Sequence, residues 1–234
     1  MSQPEKKRRF FEYDKEDTAF ERVILFTDAV VAIAITLLAL DLRLELPEDH
    51  VLTFHDLLEP WRNYLAFGLS FINIASFWQN HHYIFSNVRK IDARLMGLNT
   101  SWLFFIVTLP FCTTLVSAHF NNTPAIFLYC LNITVLSFLQ NFMWRYAASK
   151  EGYMTEHDLF SKSGKRVNVV LALDIVNGLI AIGVSFFYPI VAFIFLFTKV
   201  PMFILSMLYI RALQARRAHE LQQRKKEQQE KESA

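Results

Sequence analysis

The sequence has few of the residues that build catalytic or metal centres. Its 234 residues include 2 cysteines and 6 glycines, and the net charge is only +2. Cys112 and Cys130 each lie inside a long apolar run, where a thiol behaves as a small apolar group. No CxxC, HExxH or glycine-rich phosphate loop occurs, and His81 and His82 cannot both face one metal ion from a regular helix. These features argue against a metalloenzyme, a nucleotide-dependent enzyme and a nucleic-acid-binding protein.

Apolar residues are abundant. They make up 53% of the chain and include 23 Phe, whereas the charged residues cluster at the ends and in short loops. Stretches long enough to cross a bilayer occupy residues 23–42, 61–80, 95–118 and 124–147. The stretch 167–210 would be about 66 Å long as one helix, roughly twice a hydrocarbon core, so it must turn back near Tyr188 and Pro189. The sequence predicts an all-α integral membrane bundle of six transmembrane helices.

The loop charges predict the orientation of this bundle. Six crossings place both termini on one side, and Lys and Arg concentrate in the termini and loops of that side. The opposite loops are acidic or nearly uncharged. We therefore expect a multi-pass protein of the cell membrane with a basic cytoplasmic N-terminus at 1–21, a membrane domain at 22–212 and a polar cytoplasmic tail at 213–234. No cofactor is expected.

Ionisable residues inside spans are costly and are therefore candidates for a role. Three occur: Asp28 in the first span, Asp174 in the fifth and Lys199 in the sixth. Asp174 and Lys199 lie at similar depths of adjacent antiparallel spans, which favours a structural ion pair over a role in ion or proton passage. Polar stripes through Asn73 and Thr134 are typical of helix packing, although a watery path remains an alternative.

A projection of the first helix at 100° per residue separates two faces. Ile33, Thr36, Leu37 and Leu40 share an arc of about 100°, and Asp28 lies on the other side. From spacing alone, such a stripe is usually lipid-facing or part of a core.

Two motifs resemble those of a known family. The run from Arg22 to Leu40, with Phe26-Thr27-Asp28 and Thr36-Leu37-Leu38, is similar to the signature of the transmembrane protein 175 family, potassium-permeable channels of lysosomes and many prokaryotes. Thr27 replaces the family's Ser and keeps the hydroxyl. The segment Trp78-Gln79-Asn80-His81-His82 is similar to the family's Trp-x-x-His-His. A single six-helix unit resembles the prokaryotic members, which are tetramers.

The resemblance implies a potassium-selective pore on the symmetry axis, lined by the first helix in a homotetramer. Ile33 would form a hydrophobic constriction, Leu37 and Leu40 further narrow rings, and Thr36 would offer hydroxyl oxygens to the ion. It also implies that a hydrogen-bonded network supports the pore helix. The residues of that network would be Arg22, Thr27, Asp28, Trp78 and His81 or His82.

At the outer end, Asp41 and Glu45 in four copies would form an acidic mouth that attracts cations. Ordinary loop solvation explains the same residues equally well. The expected function is passive conduction of K⁺, with no resident metal beyond the permeating ion and no catalytic residue. The alternative is a proton-coupled secondary transporter that uses Asp28, Asp174 or Lys199. A membrane-embedded enzyme lacks a convergent set of catalytic groups.

Overall fold

The described part of the chain is helical. The computed structural model describes residues 15–44, 46, 47, 49, 51–154, 162–199 and 201. Helices with defined bounds are, in chain order, α1 (Lys15–Leu38), α2 (Phe54–Leu58), α3 (Trp61–Asn87), α4 (Ala93–Ala118), α5 (Thr123–Ser149), α6 (Lys162–Ser185) and α7 (Pro189–Leu196). A 3₁₀ turn, Ala39–Asp41, follows α1. Because no strand occurs among these residues, the all-α prediction is confirmed.

Five long helices and the start of a sixth follow the order of the predicted spans. Within the described residues, four segments are long and apolar enough to cross a bilayer: Phe20–Asp41, Ala93–Ala118, Thr123–Ser149 and Val167–Ser185. Helix α3 has 27 residues, a length of about 40 Å, but it is more polar than these four segments. Helix α6 ends at Ser185 and α7 begins at Pro189, which confirms the predicted turn. Residues 202–210 of the last predicted span lie outside the described part.

Residues 1–196 form one compact unit and residues 197–234 a second. In the first unit, α4 packs on α5 and α5 on α6, while α1 packs on α4 and α3. Lys199, in the second unit, is buried. Helix α1 is continuous across residues 21 and 22, and residue 212 is not among the described residues, so the predicted domain limits stay predictions. We call the C-terminal end of α1 the outer end and the opposite end of the bundle the inner end.

A buried polar cluster joins α3, α4 and α5. The Ser70 hydroxyl lies 2.7 Å from Thr113 Oγ1 and 3.0 Å from the Tyr129 hydroxyl. Asn73 Nδ2 donates to the same Tyr129 hydroxyl at 3.2 Å. Polar bonds of this kind hold helices together where water is absent. Asn73 therefore contributes to helix packing, in agreement with the favoured interpretation of its stripe.

At the inner end, Asp92 ties the start of α4 to the end of α5. Its carboxylate accepts hydrogen bonds from Leu95 N at 2.9 Å, from Lys150 Nζ at 2.8 Å and from the Tyr146 hydroxyl. Burial opposes ionisation of Asp92, but these hydrogen bonds outweigh it and hold the pKa of the carboxyl well below its usual value. Asp92 is thus both the N-cap of α4 and an interhelical bridge.

Gly178 allows the backbone of α6 to approach α5. A Cβ at this position would lie 2.3 Å from Thr134 Oγ1, and the Thr134 hydroxyl is itself fixed by a 2.7 Å bond to the Cys130 carbonyl. We expect Gly178→Ala to lower the free energy of unfolding by about 1–3 kcal/mol, because one of the two helices must shift. Thermal unfolding in detergent, followed by circular dichroism, measures this change.

Gly183 provides the matched control on the same helix. A Cβ there has no heavy atom within 4 Å, so Gly183→Ala should leave the melting temperature unchanged or raise it slightly through helix propensity. Equal melting temperatures for the Gly178 variant and the native chain would show that the close approach of α5 and α6 has no energetic role.

Candidate functional site

Helix α1 has two sharply different faces. One face packs on the other helices of the chain and is fully buried. It consists of small and apolar residues: Thr27, Val31, Ala34 and Leu38. The opposite face is exposed, with Ile33 at 58%, Leu37 at 40% and Leu40 at 56%. Thr36 lies on the same exposed face. The arc isolated by the projection therefore lies on a face of α1 that the rest of the chain leaves uncovered.

The Thr36 side chain is oriented by its own helix. Its Oγ1 donates to the Ile33 carbonyl at 2.8 Å. A hydroxyl that donates to the backbone still has oxygen lone pairs available as acceptors. The geometry thus presents one hydroxyl oxygen on an otherwise apolar face of α1.

The first polar connection between α1 and α3 is made by Asp28. Trp78 Nε1 donates to Asp28 Oδ1 at 2.9 Å. The Trp78 ring stacks on His82, with ring centroids 5.6 Å apart and an interplanar angle of 25°. Asp28, Trp78 and His82 are thus brought together, although they lie up to 54 positions apart in the sequence.

A second connection is fully buried and passes through Asn99 of α4. Asn99 Nδ2 donates to Thr27 Oγ1 at 2.8 Å, and Asn99 Oδ1 lies 2.8 Å from His81 Nε2. Because an amide oxygen can only accept, this geometry requires the His81 proton on Nε2. The Thr27 hydroxyl then donates to the Val23 carbonyl at 2.9 Å. One amide side chain therefore links α1, α3 and α4.

Arg22 is placed differently from the other predicted network residues. Helix α1 begins at Lys15, so Arg22 lies within the helix. The Arg22 side chain is exposed and, within the described part of a single chain, forms no hydrogen bond or ion pair with Thr27 or Asp28. Its membership of the network stays a prediction.

At the outer end, Asp41 is bound within its own subunit. Thr114 Oγ1 of α4 donates to Asp41 Oδ2 at 2.5 Å. The two residues line a cleft of about 580 Å³ that also contains Arg43, Asp56 and Glu59. Glu45, the other predicted mouth residue, is outside the described residues.

In the described ranges, one group of side chains could hold a metal ion. Donor atoms of His55, Asp56 and Glu59 lie within 4.8 Å of one another. Asp56 has a structural task, because its Oδ2 accepts from Thr53 N at 2.8 Å and from Thr53 Oγ1 at 2.7 Å in the capping box of α2. His55 and Glu59 are exposed. The group is thus explained by the start of a short helix.

Asp174 and Lys199 are both buried, as expected for ionisable residues inside spans. They belong to different compact units. Their pairing stays a prediction.

Comparison with known proteins shows which family this chain resembles. Residues 22–110, which include most of α1 and both motifs, match the family described as "Endosomal/lysosomal potassium channel TMEM175". The crystal structure of a lysosomal potassium-selective channel TMEM175 homolog from Chamaesiphon minutus superposes with a TM-score of 0.70. It shares 26% identity and covers 81% of this chain and 98% of its own. The chain thus resembles the TMEM175 family in sequence over residues 22–110 and in its fold.

Two relatives show how the chain compares in length. A potassium channel of Streptomyces collinus is 27% identical over 169 residues, which are 70% of this chain and 82% of the relative. The endosomal/lysosomal proton channel TMEM175 of Gallus gallus is 37% identical over 153 residues, 59% of this chain but only 30% of that protein. Both relatives are named as channels, so the chain is similar to membrane ion channels and not to enzymes.

Three contacts of this chain were not predicted from its sequence. They are made by Asn99, Thr114 and Arg43. Asn99 has a signal, since a lone amide in an apolar span needs a partner. Thr114 follows Pro110 by one helical turn and resembles the many hydroxyls that bond to their own helix. Arg43 belongs to a short outer loop in which only the acidic residues Asp41 and Glu45 were predicted to have a role.

Proposed function

We propose that the chain is a potassium-selective cation channel in which four copies assemble around a central pore lined by α1. One observation carries the proposal: the apolar arc of Ile33, Thr36, Leu37 and Leu40 lies directly opposite the buried face of α1. A helix fixed on one side by its own subunit can offer its other side to a symmetry axis. The names of the Streptomyces relative and the Chamaesiphon structure support K⁺ as the permeant ion.

In this arrangement Ile33 forms the hydrophobic constriction, and Leu37 and Leu40 form further narrow rings toward the outer end. Four Thr36 oxygens partly replace the water shell of the ion. The orientation of Thr36, whose hydrogen is committed to the Ile33 carbonyl, supports this role because it leaves the oxygen lone pairs for a cation.

The remaining site residues support and surround the pore. Asp28 and Thr27, with Trp78, His81 and His82, hold α1 in place from behind, and Arg22 joins this network at the inner end. Asp41 and Glu45 attract cations to the outer mouth. The protein lies in the cell membrane with both termini in the cytoplasm, needs no cofactor, and has K⁺, the lipid bilayer and its own copies as partners.

A second candidate is a proton-coupled secondary transporter, with Asp28, Asp174 or Lys199 as the titrating group. The naming of the chicken relative as a proton channel favours a role for protons. The engagement of Asp28 by Trp78, on the face of α1 turned away from the arc, favours a structural role for that carboxylate.

Ion flux in liposomes separates the two functions. Purified protein is reconstituted into vesicles with a K⁺ gradient and a clamped potential. We expect current that reverses at the potassium equilibrium potential and does not need a proton gradient. Current that stops when the proton gradient is removed would refute the channel and support the transporter.

A further inference from the structure

A positive charge lies at the outer end of the proposed pore helix. Arg43 follows Leu40 by three residues, and its Nε donates to the Leu40 carbonyl at 2.9 Å. The side chain is exposed. Leu40 is the last residue of the apolar arc, so the bond holds the guanidinium close to the backbone where the arc ends. An arginine at this point also matches the negative end of the helix dipole.

The charge of Arg43 is not cancelled by a direct partner. Among the residues that the structure describes, no carboxylate forms a salt bridge with it, and its only hydrogen bond is to Leu40. Asp41, Asp56 and Glu59 line the same cleft. However, the Asp41 carboxylate accepts from Thr114 and the Asp56 carboxylate from Thr53. The outer end therefore carries an exposed cation that forms no salt bridge with the carboxylates of the same cleft.

We propose that Arg43 sets the rate at which K⁺ reaches the pore from the outer side. This inference rests on the proposed channel, in which four copies of the guanidinium surround the outer mouth. Their field lowers the local K⁺ concentration and opposes the attraction of Asp41 and Glu45. The conductance at low salt then depends on the balance between charges of both signs, and the positive charge of Arg43 lowers it.

Neutralising Arg43 tests the proposal. In reconstituted bilayers at about 20 mM KCl, Arg43→Gln should raise the current carried inward from the outer side by about twofold to threefold, and Arg43→Lys should behave like the native channel. At about 1 M KCl, where the Debye length is about 3 Å, the difference should vanish. Arg62→Gln is the matched control, since Arg62 is exposed at the start of α3 and its guanidinium lies over the rings of Trp61 and Phe120.

A second variant changes the charge after folding. The native cysteines Cys112 and Cys130 are buried, so Arg43→Cys supplies the accessible thiol. A cationic methanethiosulfonate reagent on the outer side should restore the native current, and an anionic one should raise the current further. This result does not depend on whether Arg43→Gln folds as well as the native chain.

The outcomes separate this inference from the channel itself. If the ratio of the Arg43→Gln current to the native current is the same at low and high salt, or if both reagents have equal effects, the proposed role of Arg43 is overturned. The protein would still be a conducting K⁺ channel. A lower melting temperature with unchanged conductance would reduce Arg43 to a helix cap. Absence of K⁺ current from the native protein would instead remove the proposed function.

Discussion

Replacing Ile33 by alanine is expected to raise single-channel K⁺ conductance by at least about twofold and to lower the preference for K⁺ over Na⁺. In the proposed tetramer, four isoleucine side chains approach the axis at the narrowest point. Removing them widens the constriction and allows a cation to pass with more of its water shell. Bilayer recordings with KCl on one side and NaCl on the other measure both quantities.

The matched control is Ile194→Ala in α7. Ile194 and Ile33 are both 58% exposed in a single subunit, and both lie in apolar helices, so the two substitutions remove the same atoms from surfaces of equal exposure. Ile194 lies outside the proposed pore and should leave conductance and selectivity unchanged. Identical recordings from the two variants would mean that the exposed face of α1 contacts lipid, and the pore would have to be sought elsewhere.

Replacing Asn99 by leucine is expected to destabilise the attachment of α1 and abolish most of the K⁺ current. Leucine has nearly the same size but leaves the His81 Nε2 proton and the Thr27 hydroxyl without their shared partner. An unsatisfied buried polar group costs about 1–3 kcal/mol, whereas single hydrogen bonds between membrane helices average only about 0.6 kcal/mol. We expect a loss of about 2 kcal/mol, since one side chain serves two helices, and a fall of about 5 °C in melting temperature.

Thr100→Val controls for this change. Thr100 is the next residue of α4, is exposed, and bonds only to the Met96 carbonyl of its own helix. Its replacement should alter neither the melting temperature nor the current. If Asn99→Leu melts with the native protein and conducts normally, the buried connection has no part in holding the pore helix.

The two faces of α1 could be predicted from the sequence because a helix has a fixed period. The angular position of Ile33 relative to Asp28 depends only on local geometry, and the structure places the two residues on different sides as projected. The projection could not say whether the apolar arc meets lipid, a core or a pore, because that depends on neighbours. The resemblance to a family supplied the pore as an expectation.

The contacts behind α1 were harder to predict, because they join residues far apart in the chain. Trp78 was associated with Asp28 only through the resemblance, and the bond between them spans 50 positions. Asn99 was missed because periodicity within α4 does not reveal which helix will face it. Arg22 shows the opposite case: its position on α1 follows from the period, but the partners of a long, exposed side chain do not.

The attachment of α1 has a mechanical consequence. Polar bonds to other helices fasten it at Thr27 and Asp28, about midway along α1, and at Asp41, just beyond its C-terminal end. In the described structure no side chain from Ala29 to Leu40 makes such a bond, so 12 residues, about 18 Å of helix, rest on apolar packing alone. A helix held at two points bends most easily midway between them. Ile33 and Thr36 lie near the middle of this stretch, so in the proposed tetramer the diameter at the constriction can vary at little energetic cost while both attachment points stay in place.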